Sequence, residues 1–420
     1  MNEHLLHYIW LHRLFNLRGL STEDKQSVLI LHSGQYNKDQ GPDFLHARIQ
    51  IGGIELVGSV EIHVKTSDWY QHAHTGDPHY NNVILHVVWE HNVPFEYTIP
   101  VLCLNGRVSL FLLHEYRHLM SKNQMIPCAN QIAKVKPLIV SMWKERMFAE
   151  RLTMKTEKLN SLLIHNKQNE EEGFWQMIFR AMGMPVNSDT FETIFKNIPF
   201  KIWLQSSSRI QVVEALMLGQ AGLLKEDFED SYLKMLKREY DFYKKKYSIP
   251  DVHLLLSNLR MRPAHFPAIR LAQLSMMMHQ YPDLYFRMMQ CDSLEAMKKI
   301  IMVTANDFWH YHYSVKQGSD FREKQIGDQM AVLILINAVL PFRYLQASNQ
   351  RNIPEQLKVI EFFTKIKSER NRIIQGWKQL GVEADSAFDS QALIHLHKHY
   401  CQHKRCLECG IGKDILKVVG

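Results

Sequence analysis

Residues 41–69, GPDFLHARIQIGGIELVGSVEIHVKTSDW, constrain the fold more than any other stretch of the chain. Two runs of alternating apolar and polar residues flank Gly52-Gly53, a dipeptide that readily takes the positive φ of a two-residue hairpin turn. Leu45, Ala47, Ile49 and Ile51 share one face of the first strand. Ile54, Leu56, Val60, Ile62 and Val64 share a face of the second, and such a turn puts both sets on one side. The other side of the second strand then carries Glu61, His63 and Lys65, which are costly to bury without a purpose. A register counted from the turn sets Asp43 level with Ile62, so both carboxylates meet at the open end of the hairpin. Strict alternation nevertheless turns Asp43 to the apolar face, away from Glu61. The two share a ligand only if the chain bends or bulges around Pro42–Phe44. Otherwise Asp43 caps a loop, and Glu61, His63 and Lys65 form a solvated sheet face.

Around this hairpin, residues 2–17 place Leu5, Ile9, Leu11 and Phe15 near helical spacing. Glu3 stands in the first turn, where a carboxylate complements the helix dipole. Val28–His32, Val83–Glu90 and Pro94–Leu104 read as further strands, the last at an edge because of Pro94 and Pro100. Between them, His72 and His74 form an HxH pair. Imidazoles so spaced can bind a transition metal, line a cleft or simply sit in a turn. From about residue 110 the strand signals stop. Helices are predicted over Lys136–Leu163, Phe174–Met182, Thr190–Lys196, Gln211–Leu224, Asp227–Lys246, Met330–Phe342 and Gln356–Leu380. The expected fold class is therefore α+β. Residues 1–110 form a mixed sheet with flanking helices, 111–390 a large helical region, and 391–420 a Cys/His-rich C-terminal segment.

An Asp at a strand entry (Pro42-Asp43), followed by Glu61 with His63 two residues on, resembles the PD-(D/E)XK nuclease superfamily. The resemblance implies that Asp43 and Glu61 hold Mg²⁺ or Mn²⁺, and that a helical glutamate, here Glu3, joins them. It also implies a lysine that orients the attacking water. His63 stands in that position, and either His63 or Lys65, from the same face, takes the role. The likeness covers about the first 105 residues. The chain as a whole resembles an uncharacterised bacterial family of unknown function through GPDF, VEIH, SDW, LHVV, FPAIRLAQL and CLECGIG.

Charge is unevenly spread. Residues 1–110 hold seven Lys/Arg against eleven Asp/Glu, a balance of −4, which leaves +11 of the total +7 on the remainder. The first segment also holds eleven of the 23 histidines. An acidic, His-rich part joined to a basic one suits a metal site beside a polyanion-binding surface. The basic, tyrosine-containing stretch YLKMLKREYDFYKKKY and the arginines Arg260, Arg262 and Arg270 are candidate phosphate contacts. At the C-terminus, Cys401, Cys406 and Cys409 can hold zinc, with His397, His399 or His403 as fourth ligand, and His397 lies one helical turn before Cys401. An iron–sulfur cluster is the alternative, with one cysteine too few. Six cysteines in 420 residues do not make a secreted disulfide framework. The N-terminal apolar run is interrupted by His, Glu and Arg, unlike a signal peptide. The apolar windows Val212–Leu224 and Met330–Phe342 are too short to span a bilayer. A cytoplasmic protein without a membrane partner is expected. The leading functional expectation is metal-dependent hydrolysis of DNA or RNA. The alternatives are a non-catalytic nucleic-acid or protein interaction module on a decayed nuclease fold, and a small-molecule hydrolase built on the His cluster.

Overall fold

The computed structural model describes residues 1–417 apart from 73, 75, 122, 123, 252, 253, 259 and 260, so Arg260 lies outside the described residues. The fold is α+β, and the chain forms two compact units. Unit 1 comprises Met1–Glu145, Arg372–Val382 and Leu393–Gly420, and unit 2 comprises Arg146–Asn371 and Glu383–Ala392. The division is thus not the linear one expected at residues 110 and 390. The C-terminal segment returns to the sheet-bearing unit, a non-local association that composition along the chain cannot register.

Unit 1 opens with helix α1, Glu3–Leu11. Asn2 caps it by accepting from the Leu5 N–H at 2.9 Å. Leu5, Leu6, Tyr8, Ile9 and Trp10 are its buried residues. The helix stops short of Phe15 because Arg13 adopts φ +52°, and its guanidinium donates to the Leu31 carbonyl at 2.9 Å.

The strands are β1 (Val28–His32), β2 (Gln35–Tyr36), β3 (Phe44–Ile51), β4 (Ile54–Lys65), β5 (Val83–Glu90) and β6 (Val101–Cys103). They form one six-stranded sheet in the order β1-β3-β4-β5-β6, with β2 also on β3. The last strand keeps only three residues of the expected Pro94–Leu104, since proline cannot donate to a ladder. Gly52 and Gly53, at φ +57° and +91°, make the tight turn between β3 and β4. The pairs β4–β5 and β5–β6 are parallel, so the chain must cross over between them, and residues 66–82 do so from β4 to β5.

The hairpin register changes once. Ala47 pairs with Gly58 but Phe44 pairs with Val60, so Leu45 and His46 face the single residue Ser59. This is a β-bulge, with exposed His46 at φ +58°. The one-residue slip sets Asp43 level with Glu61 instead of Ile62 and moves it to the face of Glu61. The bend that co-ligation demands therefore exists, slightly further along than Pro42–Phe44.

Unit 2 is helical apart from a two-stranded ribbon, His312–Ser314 with Gln317–Gly318. Every residue from Val212 to Gln220 is buried. The segment Asp328–Asn349 is one continuous helix of 22 residues, long and apolar enough to cross a membrane by length and composition. Within this fold 72% of its apolar window is buried, as in a core helix. It outruns the expected Met330–Phe342 window because Arg343 is neutralised inside the unit, by Glu355 and the Cys291 carbonyl. The single helix expected over Gln356–Leu380 is two, Ile353–Lys365 and Arg372–Gln379.

The bulge can be tested by substitution at its positive-φ residue. His46→Gly should be stability-neutral or better. His46→Val should cost about 1–2 kcal/mol, because a β-branched residue resists the left-handed region. Urea denaturation at fixed pH reads both.

Candidate metal centre

The bulge brings the backbone and side chains of Asp43 and Glu61 into a reciprocal clasp. Asp43 Oδ2 accepts the Ile62 N–H at 2.9 Å, while Glu61 Oε2 accepts the Asp43 N–H at 3.2 Å. Helix α1 adds two residues one turn apart, Glu3 and His7. His7 Nε2 lies 3.2 Å from Asp43 Oδ2. The Glu3 carboxyl is pushed up by burial and next by the charge of Asp43, so it shares the same field. The helical glutamate expected from sequence thus faces the two strand carboxylates.

The crossover after β4 supplies the imidazoles. The Asp68 carboxylate accepts the Lys65 N–H at 2.8 Å and fixes the start of the turn Asp68–Gln71. Trp69, 2% exposed, anchors it in the core. The chain then carries His72 and His74 back towards β4. One nitrogen from each of His63, His72 and His74 lies within 4.8 Å of the other two. His63 Nε2 is 3.2 Å from His72 Nδ1 and 3.4 Å from Glu61 Oε1, and His74 Nε2 is 3.3 Å from Glu61 Oε1. Behind them, His63 Nδ1 meets His86 Nε2 of β5 at 2.9 Å. The Tyr80 ring stacks on His74 with centroids 3.9 Å apart.

Electrostatics makes this arrangement costly without a cation. Among the described residues, every ion-pair partner of Asp43 and Glu61 is a histidine. Burial first, and then the neighbouring Asp43 charge, push the Glu61 carboxyl up to about 9. Burial, reinforced by the other rings, pushes His63 down to about 2 and His86 to about 3, so both are neutral. A neutral imidazole cannot neutralise the carboxylates, but it can offer a lone pair. His74 Nε2 is buried, without a hydrogen-bond partner, and points at Glu61. Two carboxylates with convergent imidazoles fit a divalent ion that accepts both oxygen and nitrogen. Manganese suits that mixture better than magnesium, which prefers oxygen and retained water.

Of the residues expected to form the site, Glu3, Asp43, Glu61 and His63 converge. His72 and His74 join them. Lys65 is exposed at the end of β4, where its backbone rather than its amine is engaged. His7 and His86 were missed by sequence reasoning. His7 was findable, since it lies one helical turn beyond Glu3 on the same face. His86 stands level with Glu61 in the parallel pairing, a position that only the register reveals.

A family model for a protein of unknown function matches residues 3–372. No curated protein and no solved structure matches the chain.

The cluster gives metal-free protein a pH signature. His63 and His86 titrate lower in the folded state than their usual 6.5, so their stability contribution is present above 6.5 and lost as pH falls. Glu61 titrates higher than its usual 4.5, so its contribution is lost as pH rises towards about 9. Chelator-treated protein should therefore lose melting temperature on raising pH from 6.5 to 9. Glu61→Gln should flatten that limb, and added Mn²⁺ should raise the wild-type value most at the alkaline end. Scanning fluorimetry across pH checks all three.

Proposed function

The chain belongs to the family described as protein of unknown function DUF2851, a membership that brings no activity with it, and we propose from the site itself that unit 1 is a metal-dependent phosphodiesterase acting on nucleic acid. The observation that carries this reading is the convergence of Glu3, Asp43 and Glu61 with a trio of imidazoles within one unit. Helix, strand entry and following strand are the three places from which the PD-(D/E)XK superfamily draws its acidic residues, and the resemblance at Pro42-Asp43 and Glu61 extends to that arrangement.

A substrate surface adjoins the carboxylates. A cavity of about 620 Å³ in unit 1 is lined by His4, His7 and Tyr36 from the N-terminal part, with Lys38, His403 and Lys413 at its sides. Exposed amines and imidazoles around a tyrosine suit a phosphate backbone with a base stacked on the ring. The basic C-terminal residues thus complete a groove that the acidic first segment could not build alone. The tyrosine-containing helix Ser231–Tyr247 is a weaker contributor, since Lys244 pairs with Asp251 and Lys246 lies over Tyr247 at 5.0 Å.

In this reading Asp43 and Glu61 would hold the ion, with His63 and His72 beside them as nitrogen donors and His74 left to act as a base. A bound divalent ion polarises the phosphate and lowers the pKa of its water. The neutral His74, whose Nε2 lies beside Glu61 without a hydrogen-bond partner, would accept the proton of the attacking water. Lys38 and Lys413, which line the cavity, would hold the backbone. One observation favours the non-catalytic interaction module instead: among the described residues, neither Lys65 nor another amine takes the buried place of the superfamily's lysine.

Activity on labelled DNA and RNA, with Mg²⁺ and Mn²⁺ compared, separates the two. Cleavage should be faster with Mn²⁺. Glu61→Gln should lower it at least ~100-fold, the scale of losing a charge-stabilising group at a reaction centre, while salt-dependent binding is unchanged. Lys65→Met should leave cleavage within about two-fold, less than ~0.5 kcal/mol of barrier. Salt-sensitive binding with no cleavage under either metal gives the interaction module the better claim.

A further inference from the structure

The cysteines expected to bind metal number three by sequence, but the fold adds a fourth. Cys128 belongs to a turn in which its carbonyl accepts the N–H groups of Gln131 and Ile132, both at 2.9 Å. Cys401 ends the π-helical turn His397–Cys401, and a reversal with Lys404 at φ +51° leads on to Cys406 and Cys409. All four are free thiols, each at most 9% exposed, and all four line the same small cavity in unit 1 with Trp377, Leu396, Tyr400 and Ile411. His397 does not line it. Its ring is engaged with the Met125 backbone.

The surroundings are those of a thiolate. Cys409 immediately precedes the helix Gly410–Lys417, and the backbone N–H groups of Ile411 and Gly412 act to lower its thiol against the rise that burial imposes. Gly412 is required for this approach. A Cβ there would lie 2.2 Å from the Cys406 carbonyl oxygen. The two backbone N–H groups favour the anion of this buried sulfur, while burial in apolar surroundings pushes the Cys406 and Cys409 thiols up to about 12 and about 11. A bound cation reconciles the two, since thiol protons then leave to solvent and the sulfurs bind as anions.

We propose that Cys128, Cys401, Cys406 and Cys409 together hold a four-thiolate metal centre, separate from the imidazole cluster and independent of the phosphodiesterase reading. The ligand chemistry is shared by a zinc ion and an iron–sulfur cluster. No three of the sulfurs lie within 4.8 Å of one another, whereas sulfurs on one zinc with 2.3 Å bonds stand about 3.8 Å apart. A cluster spans the wider spacing, and a single ion requires the side chains to rotate inward. Either centre fixes the reversal 402–408, which contributes His403, Lys404 and Arg405 to the groove beside α1.

The test is metal content, not activity. Full-length His63→Ala protein, in which the imidazole trio is broken, is prepared anaerobically without added metal. Zinc, iron and acid-labile sulfide are then measured per chain. About one zinc identifies the ion; several irons with matching sulfide and visible absorbance identify the cluster. Adding Cys128→Ser should reduce the metal at least ~10-fold, and adding His397→Gln should leave it unchanged. Retention of metal in Cys128→Ser overturns the four-thiolate assignment. So does less than a tenth of an equivalent per chain before and after incubation with zinc and after reconstitution with iron and sulfide. Should Cys128→Ser fail to fold, native alkylation of the His63→Ala parent decides. Protection of all four thiols, lost together on chelation, supports the centre, and protection unaffected by chelator overturns it.

Discussion

Unit 1 depends on a reciprocal pair of hydrogen bonds between the ends of two strands. Asp43 receives a backbone N–H from the strand that carries Glu61, and Glu61 receives the backbone N–H of Asp43. Each carboxylate therefore has one oxygen committed to structure, and the contacts with His7, His63 and His74 crowd around the same two groups. Backbone donors are effective here because they cost no side-chain entropy and cannot rotate away. The same clasp holds two carboxyl groups together in a poorly solvated place, which raises the Glu61 group above the usual carboxylate range. His63 and His86 are themselves held neutral by burial, so at these positions the protein supplies lone pairs rather than charge.

How this place is assembled explains which parts of the molecule could be read in advance. The Gly52-Gly53 turn and the alternation on both sides are local signals, and the β3–β4 hairpin follows from them. The bulge at Leu45–His46 carries no such mark. Its positive-φ residue is a histidine rather than a glycine, and the apolar pattern runs through it unbroken. Yet that single extra residue decides whether Asp43 and Glu61 share a face. Glu3 and His7 were within reach of helical spacing, whereas His86 required the parallel register of β5 on β4.

Long-range closure was harder still. Cys128 stands alone in its stretch of sequence, so nothing local ties it to the three cysteines near the C-terminus. The return of residues 372–382 and 393–420 to unit 1 is likewise a tertiary choice. In unit 2, the helix Asp328–Asn349 passes a charged residue because Arg343 finds internal partners, a pairing that hydropathy alone counts as a stop. In each case a side chain was read by its type, and its effect was set by a distant partner.

The discontinuity of unit 1 also orders events in time. A chain emerges from the ribosome N-terminus first, and compact units form as their residues become available. Most of unit 2 lies in the uninterrupted stretch 146–371, whereas unit 1 waits for residues 393–420. The strands bearing Asp43 and Glu61 are therefore made well before the segment carrying His403 and Lys413, with the stretch 146–371 of unit 2 between them. While residues 146–392 are being made, the nascent chain carries the acidic centre without the basic groove, and the two come together only after residues 393–420 have followed.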